Sequence, residues 1–201
     1  IEVGDGRIQQ TFLNAPSATL TGVEVEAKKY FEFPDAGMDF IANKRWLFQA
    51  NYTYTNSEIQ VGSGDRIRTE QNLGVGQAAT DLLTDGDTLQ GQSDHVANLQ
   101  VGWEDDAAGS QATIIVNYVS ERISARGIAN NPDLIQDPGV FLDFVYHKDF
   151  TAMGRDLGFG LELRNLLRTD FDEYQELGNA RINVNKYELG RSASVSLTAR
   201  F

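Results

Sequence analysis

Three consecutive residues, Ser93, Asp94 and His95, carry the side-chain types of a hydrolase's nucleophile, orienting acid and base. Neighbours on an extended chain point to opposite faces, so the three cannot converge as a triad, and no catalysis is expected of them. "GVGQAA" at 74–79 fits a loose G-x-G-x-x-A dinucleotide pattern. It follows "RTEQNL", which is no buried strand, and precedes "TDLLTDGD" rather than a long helix, so the strand–turn–helix setting that cradles a pyrophosphate is missing. The segment reads instead as an external loop with one short helix at 77–83. "DLLTDGDT" offers Asp81, Asp85 and Asp87 as oxygen ligands for a hard cation such as calcium, without EF-hand order or a closing Glu. An Asp-Gly turn is the better reading, and no cofactor or metal is expected.

Charged pairs suggest other chemistry. Arg66 with Arg68, and Arg122 with Arg126, present guanidinium forks suited to an anionic ligand such as a ferric chelate. Asp65, Glu70, Asp81, Asp85 and Asp87 make the first of these regions net acidic, which favours ordinary solvation. Asp143 and His147 share one face of a segment, as do Glu162 and Arg164 on the next. On a barrel strand that face lines the lumen, and a structural charge ladder is favoured there over substrate contact.

These residues sit on, or between, segments of period two. "GVEVEAKKYF", "WLFQANYTYT", "HVANLQVGW", "ATIIVNY", "FLDFVYHKDF", "LGFGLELRN" and the terminal "GRSASVSLTARF" each set apolar or small residues against polar ones. An eighth strand is expected to begin at 7–13. Connections alternate in length: 105–110 and 151–156 are short and 34–45 is middling, whereas 60–94, 120–139 and 168–190 are long. A soluble sandwich needs no such rhythm, whereas an outer-membrane barrel has short periplasmic turns and long external loops. Phe31, Trp46, Trp103, Tyr146 and Phe201 then fall at the periplasmic strand ends, and Tyr52, Tyr54 and Tyr118 at the outer ends. From Trp46 to Tyr54 the chain rises about 19 Å at a 45° tilt, near the spacing of two aromatic girdles around an apolar band.

Composition is compatible. The 201 residues include no cysteine and carry a formal net charge of -12, which excludes a disulfide framework, a thiolate metal site and nucleic acid as a partner. No stretch approaches the roughly 20 apolar residues of a spanning helix. The chain opens "IEVGDGRIQQ", without Met or a signal peptide, and is expected to be a piece of a longer protein.

In sequence order, "LTGVEVEAKKYF", "FQANYTYTNSEI", "DHVANLQVGW", "LELRNLLRTDFDEY" and "YELGRSASVSLTARF" resemble the C-terminal third of TonB-dependent outer-membrane receptors. The resemblance covers almost the whole chain from about Asn14. One departure is that Asn165, Leu166 and Leu167 lead to Tyr174 through extra residues, where the family often has a shorter Asn-Leu-Phe-Asp run. The family implies an all-β, antiparallel up-and-down transmembrane barrel of 22 strands, of which residues 1–201 supply seven or eight, with the plug domain absent from this chain. It also implies energy-coupled uptake of a scarce nutrient (a ferric siderophore, cobalamin, an oligosaccharide or similar) across the outer membrane of a Gram-negative bacterium. Partners implied are outer-membrane lipid, the rest of the barrel and plug, the inner-membrane TonB complex, the small-molecule substrate and the barrel-assembly machinery, with Phe201 as assembly signal. The competing readings are a passive porin-like channel, which would lack a plug, and a soluble extracellular β-sandwich binding module.

Overall fold

A strand whose alternate residues are apolar presents one uniform face, and neighbours with the same alternation pair in the register that keeps those faces together. The computed structural model describes all residues except 1, 5, 6, 10–12, 70, 71, 128–130 and 201. In chain order its strands begin with β1 (Glu2–Gly4), β2 (Arg7–Gln9), β3 (Ser17–Glu32), β4 (Arg45–Gln60), β5 (Arg66–Thr69) and β6 (Asn72–Ala78). There follow β7 (His95–Asp105), β8 (Ser110–Val119), β9 (Arg122–Ala125), β10 (Leu134–Asp137) and β11 (Gly139–Ala152). The last are β12 (Arg155–Arg164), β13 (Phe171–Leu177), β14 (Ala180–Tyr187) and β15 (Ser192–Arg200). The only helices among the described residues are one turn, α1 (Asp39–Ala42), and a 3-10 turn at Ala79–Asp81 inside the range expected to be helical. The protein is all-β.

Seven strands form one antiparallel sheet in the order β15-β12-β11-β8-β7-β4-β3, and they are the seven period-two segments. We call this sheet the wall. Its register is unbroken, running from Phe31 opposite Trp46 to Trp46 opposite Trp103, and from Phe144 opposite Leu163 to Leu161 opposite Val195. The connections 33–44, 106–109 and 153–154 therefore lie at one end of the wall, and 61–94, 120–138 and 165–191 at the other. The wall is open: β3 and β15 are its edges.

The expected eighth strand takes a different course. Arg7–Gln9 pairs with Glu2–Gly4 in a local two-stranded hairpin rather than joining the wall. Leu13, the apolar end of that segment, packs instead against a small core of Ile59, Val61, Ile67 and Ala79.

The long connections have strands of their own. The first contains the β5–β6 hairpin, and the second and third combine into a four-stranded sheet, β14-β13-β10-β9. Together they cap the wall's long-loop end. Ser57 and Ile59 continue the parity of Asn51 and Thr53, so the Ile59 core lies on the wall's polar side.

Candidate functional site: an uncovered apolar wall and its loop cap

Among the described residues, nothing packs over the middle of the wall's apolar face. Val195 is 65% exposed, Leu197 77%, Ile114 47% and Phe48 39%. The whole chain exposes 13458 Å², whereas a compact soluble monomer of about 22 kDa exposes roughly 9,400 Å². A contiguous exposed apolar face of this kind marks a contact surface for a protein, a ligand or a membrane.

Aromatic rings border that face. At the short-turn end Phe31, Trp46 and Trp103 stand side by side in register, and the Trp103 ring lies 6.3 Å from Tyr146. At the long-loop end Tyr52 and Tyr118 flank Ala97 in one row, and Tyr54 lies opposite His95. The Tyr52 hydroxyl hydrogen-bonds His95 Nδ1 at 2.8 Å, and the His95 ring lies 5.2 Å from that of Tyr54. His95 thus joins the border aromatics instead of a catalytic set. Ser93 Oγ donates to the Ser120 carbonyl, and the Asp94 carbonyl accepts from the Thr55 amide. Phe201 lies outside the described residues.

The cap uses most of the candidate arginines internally. Arg66 donates to the Val75 and Gly76 carbonyls across its own hairpin. Arg68 is exposed. Arg122 donates through Nε and an η nitrogen to Gln136. Arg126 pairs with Asp87 at 2.8 Å and Asp133 at 2.9 Å, and also donates to the Thr88 carbonyl, tying the second long connection to the first. Asp85 accepts from the Val61 amide, so Asp85 and Asp87 serve different partners. "GVGQAA" lies mostly in β6, where Gly76 takes φ +77 against the Ile67 carbonyl, a hairpin position rather than a phosphate cradle.

Deeper in the cap Tyr174 is 3% exposed. Its hydroxyl donates to Glu121 at 2.7 Å, and the Arg181 guanidinium lies 3.6 Å from its ring centre. Burial, and then the Glu121 bond, push its phenol above the ordinary range.

No protein-family model, curated protein or solved structure matches this chain. The site therefore rests on its own geometry.

On the polar face, Glu162 and Arg164 pair with one another at 2.8 Å. Asp143 and His147 share that face but separate: Asp143 accepts from the Asn165 amide, and His147 pairs with Asp149 at 3.1 Å. Among the described residues no three His, Asp or Glu side chains gather as a metal site.

Two features had little signal in the sequence. Asn165, 7% exposed with φ 54, donates from its amide to the Thr169 and Gly190 carbonyls and accepts from the Thr169 amide. At the opposite end, Phe40 of α1 folds back edge-on against Trp46 and Trp103, with ring centres 6.0 and 5.9 Å apart. Beneath it Lys44, 9% exposed, pairs with Asp105 at 3.2 Å. Phe40 stood outside every period-two segment, and four residues are too few to show a helical period.

Proposed function

We propose that this chain is a C-terminal sector of the barrel wall of a TonB-dependent outer-membrane receptor, taking part in energy-coupled nutrient uptake. One observation carries the reading: seven antiparallel strands expose a continuous apolar face between two aromatic borders, with every short turn at one end and every long connection at the other. Hydrocarbon covers such a face without a second sheet, and only a closed barrel satisfies the strand edges there. The soluble-sandwich alternative needs a second layer over Phe48, Ile114, Val195 and Leu197, and all four are exposed.

The geometry also fixes a parity. Six successive antiparallel pairings leave β3 and β15 running parallel to each other. An all-antiparallel barrel therefore needs an odd number of further strands between them, and any even-stranded barrel supplies an odd remainder. The cap would face the outside and offer substrate contacts, the polar face would meet the plug, and the short turns would face the periplasm.

The test is topological. The chain has no cysteine, so Thr84→Cys in the first long connection and Asp106→Cys in a short turn each add one reporter to it, read in the full-length protein against the unsubstituted parent. On intact Gram-negative cells a membrane-impermeant maleimide should label the Thr84 variant at once and the Asp106 variant only after the outer membrane is opened. Equal labelling of both in intact cells, or recovery of the protein in the soluble fraction, overturns the proposal.

A further inference from the structure

The β3–β4 connection is the longest of the three at the short-turn end, and its composition is unlike a solvated turn. "FPDAGMDFIANKRW" places Phe33, Met38 and Phe40 among acidic and small residues. All three are exposed, at 46%, 59% and 58%. Phe33 and Phe40 lie on the same side of the wall: Phe33 stacks on Phe31 at 6.3 Å, and Phe40 meets Trp46 and Trp103. Phe31, Trp46 and Trp103 belong to the apolar face, so the segment folds back under that face rather than beneath the polar one.

That fold-back hides charge. Asp105 has the parity of Trp103 and points to the apolar side, where a bare carboxylate would be costly. Lys44 neutralises it at 3.2 Å, with its ammonium 4.7 Å from the Phe40 ring centre and 4.4 Å from that of Trp103. The indole of Trp46 is oriented toward the Ile41 carbonyl at 3.4 Å. On the same face Lys29 extends its ammonium over Phe31, 5.2 Å from the ring centre. Cation, aromatic and aliphatic groups at one level of an apolar wall are what a headgroup boundary solvates: rings and thioether meet the first methylenes, and ammonium meets phosphate.

We infer that residues 33–44 form an interfacial foot, docked on the phospholipid headgroup layer of the leaflet bordering the short turns, with Phe40 and Met38 inserted and Lys29 at the phosphates. This rests on the barrel reading and adds an anchor beyond the strands. The foot sets the wall's height and, by sealing Lys44–Asp105 from hydrocarbon, lets an ion pair sit on a lipid-facing surface.

Nitroxide labels at Phe40→Cys, Met38→Cys, Ile114→Cys and Asp106→Cys, each in the full-length protein in phosphatidylethanolamine–phosphatidylglycerol vesicles, test it by collision with oxygen and with a water-soluble nickel chelate. The Ile114 label should meet mainly oxygen and the Asp106 label mainly nickel, with Met38 and Phe40 between them, just inside the phosphates. The Met38 label leaves the rings around Lys44 in place, so it reads the foot even if Phe40→Cys disturbs folding. A Met38 label as nickel-accessible as Asp106, or shielded from both quenchers, overturns the foot while an oxygen-accessible Ile114 keeps the barrel. An Ile114 label that meets nickel as freely as Asp106 overturns the barrel reading, and the foot with it.

Discussion

The side-chain amide of Asn165 donates to the carbonyl of Gly190 at 2.7 Å, closing the third long connection at its base. The same amide reaches the Thr169 carbonyl at 2.9 Å, and Asn165 Oδ1 accepts from the Thr169 amide at 2.8 Å. Its backbone sits at φ 54, a conformation asparagine tolerates better than other side chains. Asn165→Ala removes three hydrogen bonds and strains the turn, so the connection should lose about 2–4 kcal/mol of local stability. Asn165→Gly restores the backbone freedom but not the bonds and should recover about 1 kcal/mol of that. Native-state hydrogen exchange of residues 165–191 would measure both.

Arg126 does for two connections what Asn165 does for one. Its guanidinium holds Asp87, Asp133 and the Thr88 carbonyl at once, a fork that a single ammonium cannot imitate. Arg126→Lys should therefore behave nearly as badly as Arg126→Gln, each costing the cap about 2–3 kcal/mol. Limited proteolysis should then cleave within 61–94 and 120–138 while the wall strands stay intact.

Tyr174 gives the cap an alkaline limit. Its phenol is raised by burial first and by the Glu121 hydrogen bond second, with Glu176 adding to the rise and Arg181 opposing it. An unfolded tyrosine ionises near 10.0. Below that value both states hold the proton and the contribution is fully present. As pH rises from there through the higher folded value, only the folded state still holds the proton, and stability is lost. Tyr174→Phe keeps the ring under Arg181 without an ionisable group. It should be less stable than the parent at neutral pH and lose less on going above pH 10.0, measured by urea unfolding of the cap across that window.

How much of this is written in the sequence differs by region. The wall strands are legible because one face of each is mainly apolar or small, and keeping those faces together fixes both type and register. "GVEVEAKKYF" locates β3, although the observed strand runs from Ser17 to Glu32, because pairing with β4 continues past the apolar run. The cap strands are not legible in this way. In "FDEYQEL", Phe171, Glu173 and Gln175 alternate with Asp172, Tyr174 and Glu176, so neither face is apolar, and β13 is held by pairing with β10 and β14. Among the candidate residues, the shared face of Asp143, His147, Glu162 and Arg164 followed from parity alone. The partners of Arg122 and Arg126 did not, because Gln136, Asp87 and Asp133 reach them only through cap topology. Asn165 was visible only as part of a resemblance, and its role comes from a left-handed backbone that sequence periodicity does not encode.

Val195 distinguishes water from hydrocarbon over the wall's apolar face. Val195 is 65% exposed and lies opposite Leu161, midway along β15. If that exposure faces water, Val195→Lys is an ordinary surface change and should move stability by no more than about 0.5 kcal/mol. If it faces the apolar centre of a bilayer, the ammonium must be desolvated or drag water inward, at a cost of about 2–4 kcal/mol. Ser194→Lys supplies the control, since Ser194 lies on the polar face opposite Glu162, where a new cation gains a partner. In urea unfolding from phospholipid vesicles the Val195 variant should fall below the parent by that larger amount and the Ser194 variant should match or exceed it. Near-equal stability of both lysine variants would mean that the wall's apolar face does not meet lipid.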